Sequence, residues 1–175
     1  MPEPKHQFTV HGPFPVPYMS AGNGTSKRID RDNAAQFWTD SGPAALGAAR
    51  GCYVFALAVS GGFTPWYVGK TTKSFKVEVL QDHKLVHYND VVFSGNKGKP
   101  VIFLVALSGA KGRTIPRAEI DSLETFLIQS AVIKNPKLKN VKKAAYPDWG
   151  VRGVIRGGKG NVPMPARRFK SALGL

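Results

Sequence analysis

The chain has 175 residues, enough for one domain with a substantial core, and its 42% hydrophobic and 10% aromatic content is that of an ordinary globular protein. No apolar run approaches the ~18 residues needed to cross a membrane. The N-terminus lacks a secretory layout and the lone cysteine, Cys52, has no second one to bridge to, so a cytoplasmic location and no membrane partner are expected. The 25 Lys and Arg against 11 Asp and Glu leave a net charge of +14. Basic side chains displace condensed counterions from phosphates, so nucleic acid is the favoured partner; any protein partner is left open.

Residues 1–30, with "HGPFPVPYMSAGNGTSKR", follow neither a period of two nor one of 3.6, and read as an extended arm lying over the domain. Short helices are expected at 32–40, capped by Asp32 or Asn33, and at 41–50, so that 1–50 forms an N-terminal arm packed on the domain. "GCYVFALAVS" (51–60) sets Tyr53, Phe55, Leu57 and Val59 on one face and Val54, Ala56 and Ala58 on the other, a buried strand. "GGFTP" supplies turn residues and "WYVGK" a second short strand, which together make a hairpin.

From Lys73 to about Asn89, the residues Phe75, Val79, Leu80, His83 and His87 recur at helical intervals and predict one helix. "PVIFLVALS" (100–108) is apolar on both faces, as a central strand is. "TIPRAEIDSLETFLIQSAVIKN" opens with a Pro suited to a first helical turn and carries Ile120, Leu123, Leu127, Ile128 and Ala131 on one stripe. "NPKLKN" ends that helix. The tail, 146–175, is a basic extension with an expected strand at 151–155 and a last helix from Ala166.

The "GKT" of "WYVGKTT" invites a phosphate-loop reading, which fails on its own mechanism. A Walker A loop needs a glycine five positions before Gly69, and Thr64 stands there; Pro65 offers no amide, and Trp66, Tyr67 and Val68 read as strand. His83 and His87 share a helix face, but no third ligand lies nearby for a tetrahedral zinc. Cys52 lacks the partners of a thiol nucleophile and reads as a small buried hydrophobe. Glu124 is the residue in the wrong place, since it falls on the apolar stripe of its helix. A carboxylate facing a core costs several kcal/mol unless it is paired or bound to a cation. Either a lysine partner or a metal ion meets that demand.

In order, "GCYVFAL", "WYVGKT", a helix, a central strand and "LETFLI" followed by "NPKLKN" resemble the GIY-YIG nuclease family over residues 51–140. The resemblance implies an α+β fold, a small mixed and mainly antiparallel central sheet flanked by helices, with a catalytic core at 51–145. It implies an endonuclease that hydrolyses phosphodiester bonds in nucleic acid, DNA ahead of RNA, with one Mg²⁺ or Mn²⁺. By position, Glu124 holds the metal, with Glu78 a second candidate ligand, Tyr53 stands by the attacking water as general base, Tyr67 positions water or phosphate, and Asn140 fastens the site.

The family's first helix carries an Arg for the phosphate, and "TTKSFKVEVLQDHK" has none; Glu78 aligns there. Lys70, Lys73, Lys76 or Lys84 is left to supply the charge, Lys70 being nearest the scissile phosphate, and His83 meets the family's later His one position out of register. Lys73, Lys76, Lys84, Arg152, Arg156, Lys159, Arg167 and Arg168 are the candidate nucleic-acid contacts. The missing Arg keeps an alternative open, a catalytically inactive nucleic-acid-binding module on the same fold.

Overall fold

The computed structural model describes residues 7–21, 26–60, 62–108, 117–141, 151 and 161–173, which fall in two units, Met1–Lys143 and Ala144–Leu175. The first unit is an α+β fold built on one four-stranded sheet in the order β1-β6-β4-β5. Its strands are β1 (Phe8–Pro15), β4 (Gly51–Val59), β5 (Gly62–Thr71) and β6 (Lys99–Leu107), and every pairing is antiparallel rather than mixed. A separate two-stranded ribbon joins β2 (Met19–Ala21) to β3 (Ser26–Arg28).

Alternation along β4 divides the core. Tyr53, Phe55 and Leu57 face one side with Tyr67, Phe75, Leu85, Tyr88 and Phe37, while Cys52 faces the other with Val105 and Ile120. The first side is covered by α1 (Arg31–Phe37), α2 (Ser41–Leu46), α3 (Phe75–Glu78) and α4 (Asp82–Phe93), and the second by α5 (Arg117–Lys134). β6 is covered on both faces, as its apolar run predicts. No helix among the described residues is long and apolar enough to cross a membrane.

Four expectations change. Residues 8–15, read as an arm, are a strand of the main sheet; a register shift between His11 and Phe14 breaks the alternation that marks a strand, and β1 is an edge, where Pro13 and Pro15 are tolerated. β5 starts at Gly62, so "GFTP" is strand and not turn. It too is an edge strand, and its register skips Trp66 at a bulge, with Phe55 opposite Tyr67 and Ala56 opposite Pro65. The cap of α1 is Asp30, not Asp32 or Asn33; Asn33 closes the capping box by accepting from the Asp30 amide.

The single helix expected after Lys73 is two. Ser74 caps α3, extended backbone at Gln81 opens α4, and the Tyr88 hydroxyl donates to the Val79 carbonyl in the break. The break brings the Glu78 carboxylate to the Lys84 ammonium.

In the second unit α6 (Met164–Leu173) carries Arg167 and Arg168, both exposed, and the Arg167 guanidinium donates to the Val162 carbonyl at 3.1 Å. Arg152, Arg156, Lys159 and most of the strand expected at 151–155 lie outside the described residues.

Candidate active site

The site begins with two glycines. Gly51 has φ +144°, and a Cβ there would lie 2.1 Å from the Val105 carbonyl oxygen, so the start of β4 can lie against β6 only as glycine. Gly69 is opposite Tyr53 in the hairpin, and a Cβ there would lie 2.4 Å from both Cζ and Oη of the Tyr53 ring. The tyrosine lies across its neighbouring strand, in space that only a missing side chain provides.

Tyr53 and Tyr67 share that face, their rings 6.3 Å apart and within 16° of parallel. The two phenols sit in different surroundings. Tyr53 is fully buried, and its hydroxyl has no hydrogen-bond partner among the described residues. Burial, then the neighbouring Tyr88 and Tyr67 and the carboxylates Glu78 and Glu124, push its ionisation far above the ordinary 10.0. Tyr67 oxygen instead accepts a 3.0 Å hydrogen bond from the Lys84 ammonium, and the His87 ring stacks on Tyr67 at 5.5 Å.

Lys84 has a second partner, a Glu78 oxygen at 3.3 Å, and its side chain is only 13% exposed. Burial works against its charge, but the hydrogen bond to Tyr67 and the contacts with Tyr67 and Glu78 prevail, so the ammonium is held above its ordinary 10.5. Glu78 thus faces the site as the partner of a cation. On the opposite face Lys70 bridges Asp121 and Glu124 of α5, 3.1 Å from a Glu124 oxygen. Glu124 is buried, and the lysine partner anticipated for it is Lys70.

The segment after α5 fastens β5. Asn135 Nδ2 donates to the Pro65 carbonyl at 2.8 Å, the Lys139 amide to Trp66 at 2.9 Å, and Asn140 Nδ2 to Val68 at 2.7 Å. Asn140 therefore holds the strand that carries Tyr67. These bonds satisfy outward carbonyls of an edge strand, whose inward amides and carbonyls pair with β4.

The remaining sites divide. His83 is exposed on α4, and it is His87, one turn on, that packs on Tyr67. Lys73 and Lys76 are exposed beside α3. Tyr53 as general base meets an obstacle in its burial and raised ionisation, whereas Tyr67 carries a cation on its oxygen. Asp121 was missed, although it lies one turn before Glu124 and so shares that helix face; His87 and Tyr88 stand three and four residues after Lys84, the same relation.

Among the described residues no group of three or more His, Cys, Asp and Glu is placed to hold a metal ion. Glu124 and Asp121 are hard oxygen donors, the set that suits a mostly hydrated Mg²⁺ or Mn²⁺ and not a structural zinc.

Comparison with protein-family models, with curated proteins and with solved structures gives no match to this chain. The site is read on its own geometry.

Proposed function

We propose that this chain is a metal-dependent endonuclease of the GIY-YIG kind, hydrolysing phosphodiester bonds in nucleic acid, DNA in the first instance. The observation that carries the reading is the Tyr67–Lys84–Glu78 chain of contacts beside Tyr53; Glu124, the candidate metal ligand, stands with Lys70 on the other face of the sheet. A phosphoryl-transfer site needs positive charge where the phosphate sits, an oxygen ligand for a divalent ion and a group to orient water. Lys84 supplies the first in place of the absent Arg, as a point charge and not a fork. Glu124, with Asp121 next to it, would hold Mg²⁺ or Mn²⁺, which when bound offers Lewis-acid neutralisation of phosphoryl oxygens.

Within the chain's own chemistry, Tyr67 is buried and its phenol oxygen holds the partly exposed Lys84 ammonium, which is the group that would meet the phosphate. Glu78 keeps the ammonium charged and aimed. Tyr53 serves as the packing floor of the cleft. Incubating the protein with plasmid, single-stranded DNA and RNA, in Mg²⁺ or Mn²⁺ and in EDTA, tests the reading. Metal-dependent cleavage that disappears in Glu124→Ala supports it; cleavage indifferent to that substitution refutes it.

A second reading, a nucleic-acid-binding module without turnover, is favoured by the Lys70–Glu124 ion pair, which already neutralises a buried carboxylate. Salt-sensitive binding with no cleavage of any of these substrates would select it.

A further inference from the structure

At the end of β4 remote from Tyr53 the surface closes into a concave site of about 540 Å³, lined by Tyr18, Lys27, Ser60, Lys97, Gly98 and Lys99 among others. Among the described residues of the first unit, part of the positive charge is paired with carboxylates and part, as at Lys73, Lys76 and Lys137, is not. Lys70 is paired with Asp121 and Glu124, Lys84 with Glu78, Lys139 with Asp90 and Arg31 with Asp82. No carboxylate lines the concave site, and among the described residues Lys27, Lys97 and Lys99 enter no ion pair.

Lys27 is pre-set there. Its ammonium donates to the Gly98 carbonyl and lies 5.5 Å from the centre of the half-buried Tyr18 ring. Lys97 and Lys99 are exposed on the connection from α4 and the first residue of β6. Unneutralised ammonium groups collected in a concavity focus positive potential, which draws and holds polyanions. Lys27 comes from β3, and Lys97 and Lys99 from the segment that leads into β6, so the ammonium groups approach the concavity from two sides. The Tyr18 face adds an apolar surface on which a base or sugar can rest.

We propose that this concavity is a second phosphate-binding site for the same nucleic acid that the Tyr67 and Lys84 cleft engages. It rests on the nucleic-acid reading above but not on cleavage. At ~3.3 Å per strand residue, Ala58 to Ser60 lie ~20 Å along β4 from Tyr53. A nucleic-acid strand rising ~3.4 Å per nucleotide covers that span in about six nucleotides. The bound molecule therefore extends about six nucleotides to one side of the cleft.

The test is fluorescence polarisation in EDTA, where no cleavage occurs, using labelled duplexes with flanks shorter and longer than that span and a series of KCl concentrations. Wild type is expected to prefer the longer flanks. Lys97→Gln combined with Lys99→Gln, both exposed and with melting temperature as the control for folding, is expected to lose that preference and to reduce the log–log salt slope by about 2, near 0.9 for each phosphate contact. A double variant with wild-type slope and wild-type length preference overturns this site alone. Wild type that binds no nucleic acid at low salt overturns the nucleic-acid reading and this site with it.

Discussion

The ring of Tyr53 occupies the space in which a side chain at position 69 would stand, with Cζ and Oη each 2.4 Å from the position of a Gly69 Cβ. The glycine of "YVG" and the tyrosine of "GCY" are one steric unit across the hairpin. Gly69→Ala must displace the ring or the strand, both buried, and should cost about 3 kcal/mol, at the upper end for overpacking. Urea unfolding measures it. A cost near zero would mean that the ring moves freely and that Tyr53 is not fixed by packing.

Tyr53→Phe removes the buried hydroxyl that lacks a partner and should stabilise the fold by about 1 kcal/mol, the low end for an unsatisfied group. If Tyr53 is the floor of the cleft and Tyr67 the phenol that holds Lys84, this variant keeps most of any cleavage activity, and Tyr67→Phe loses it. The reverse pattern would return the base to Tyr53.

Stability should fall at alkaline pH in a way these groups account for. The folded Tyr53 holds its proton far above 10.0, where the unfolded phenol has lost it, so stability declines as pH rises past about 10. Lys84 acts in the same direction: its folded value is raised, so its contribution is complete below 10.5 and is lost as pH rises through the folded value. Thermal melts from pH 8 to 11.5 check this in wild type and Tyr53→Phe, the variant losing less on the alkaline side.

Lys84→Met should reduce cleavage by about 100-fold or more, the scale for losing one group that stabilises developing charge. Lys84→Arg, which keeps the charge, should retain more activity than the Met variant. Equal losses in the two would indicate that the Lys84 contact with Tyr67 and Glu78 matters for shape and not for charge.

Glu124→Leu separates function from stability. The apolar replacement suits the stripe of α5, and Lys70 retains Asp121, so stability should lie within about 1 kcal/mol of wild type or above it. Metal-dependent cleavage should vanish. A large loss of stability on chemical denaturation would instead mark Glu124 as a structural carboxylate.

Much of the frame was legible in the chain. Alternation through "GCYVFALAVS" places Tyr53 and Phe55 on one face, and the stripe of α5 picks out Glu124 as a buried acid because periodicity directly reports which side of an element is covered. Strand β1 was not legible, since a register shift at Gly12 and Pro13 interrupts the very period that identifies strands. The break between α3 and α4 was hidden for the opposite reason: Phe75, Val79 and Leu80 keep helical spacing through it. The Lys84–Tyr67–Glu78 contacts depend on that break and on the pairing of distant strands, neither of which spacing along one element contains. Lys84 could be named only as one of several lysines.

The bonds from Asn135, Lys139 and Asn140 to β5 have a consequence for how copies of this protein meet. A sheet grows by offering its unpaired edge to another chain, and the strand that carries Tyr67 would be such an edge. Its outward carbonyls at Pro65, Trp66 and Val68 are already taken by the molecule's own chain. Strand exchange between two molecules is thereby steered away from the cleft, toward β1, whose two prolines and register shift make it a poor template.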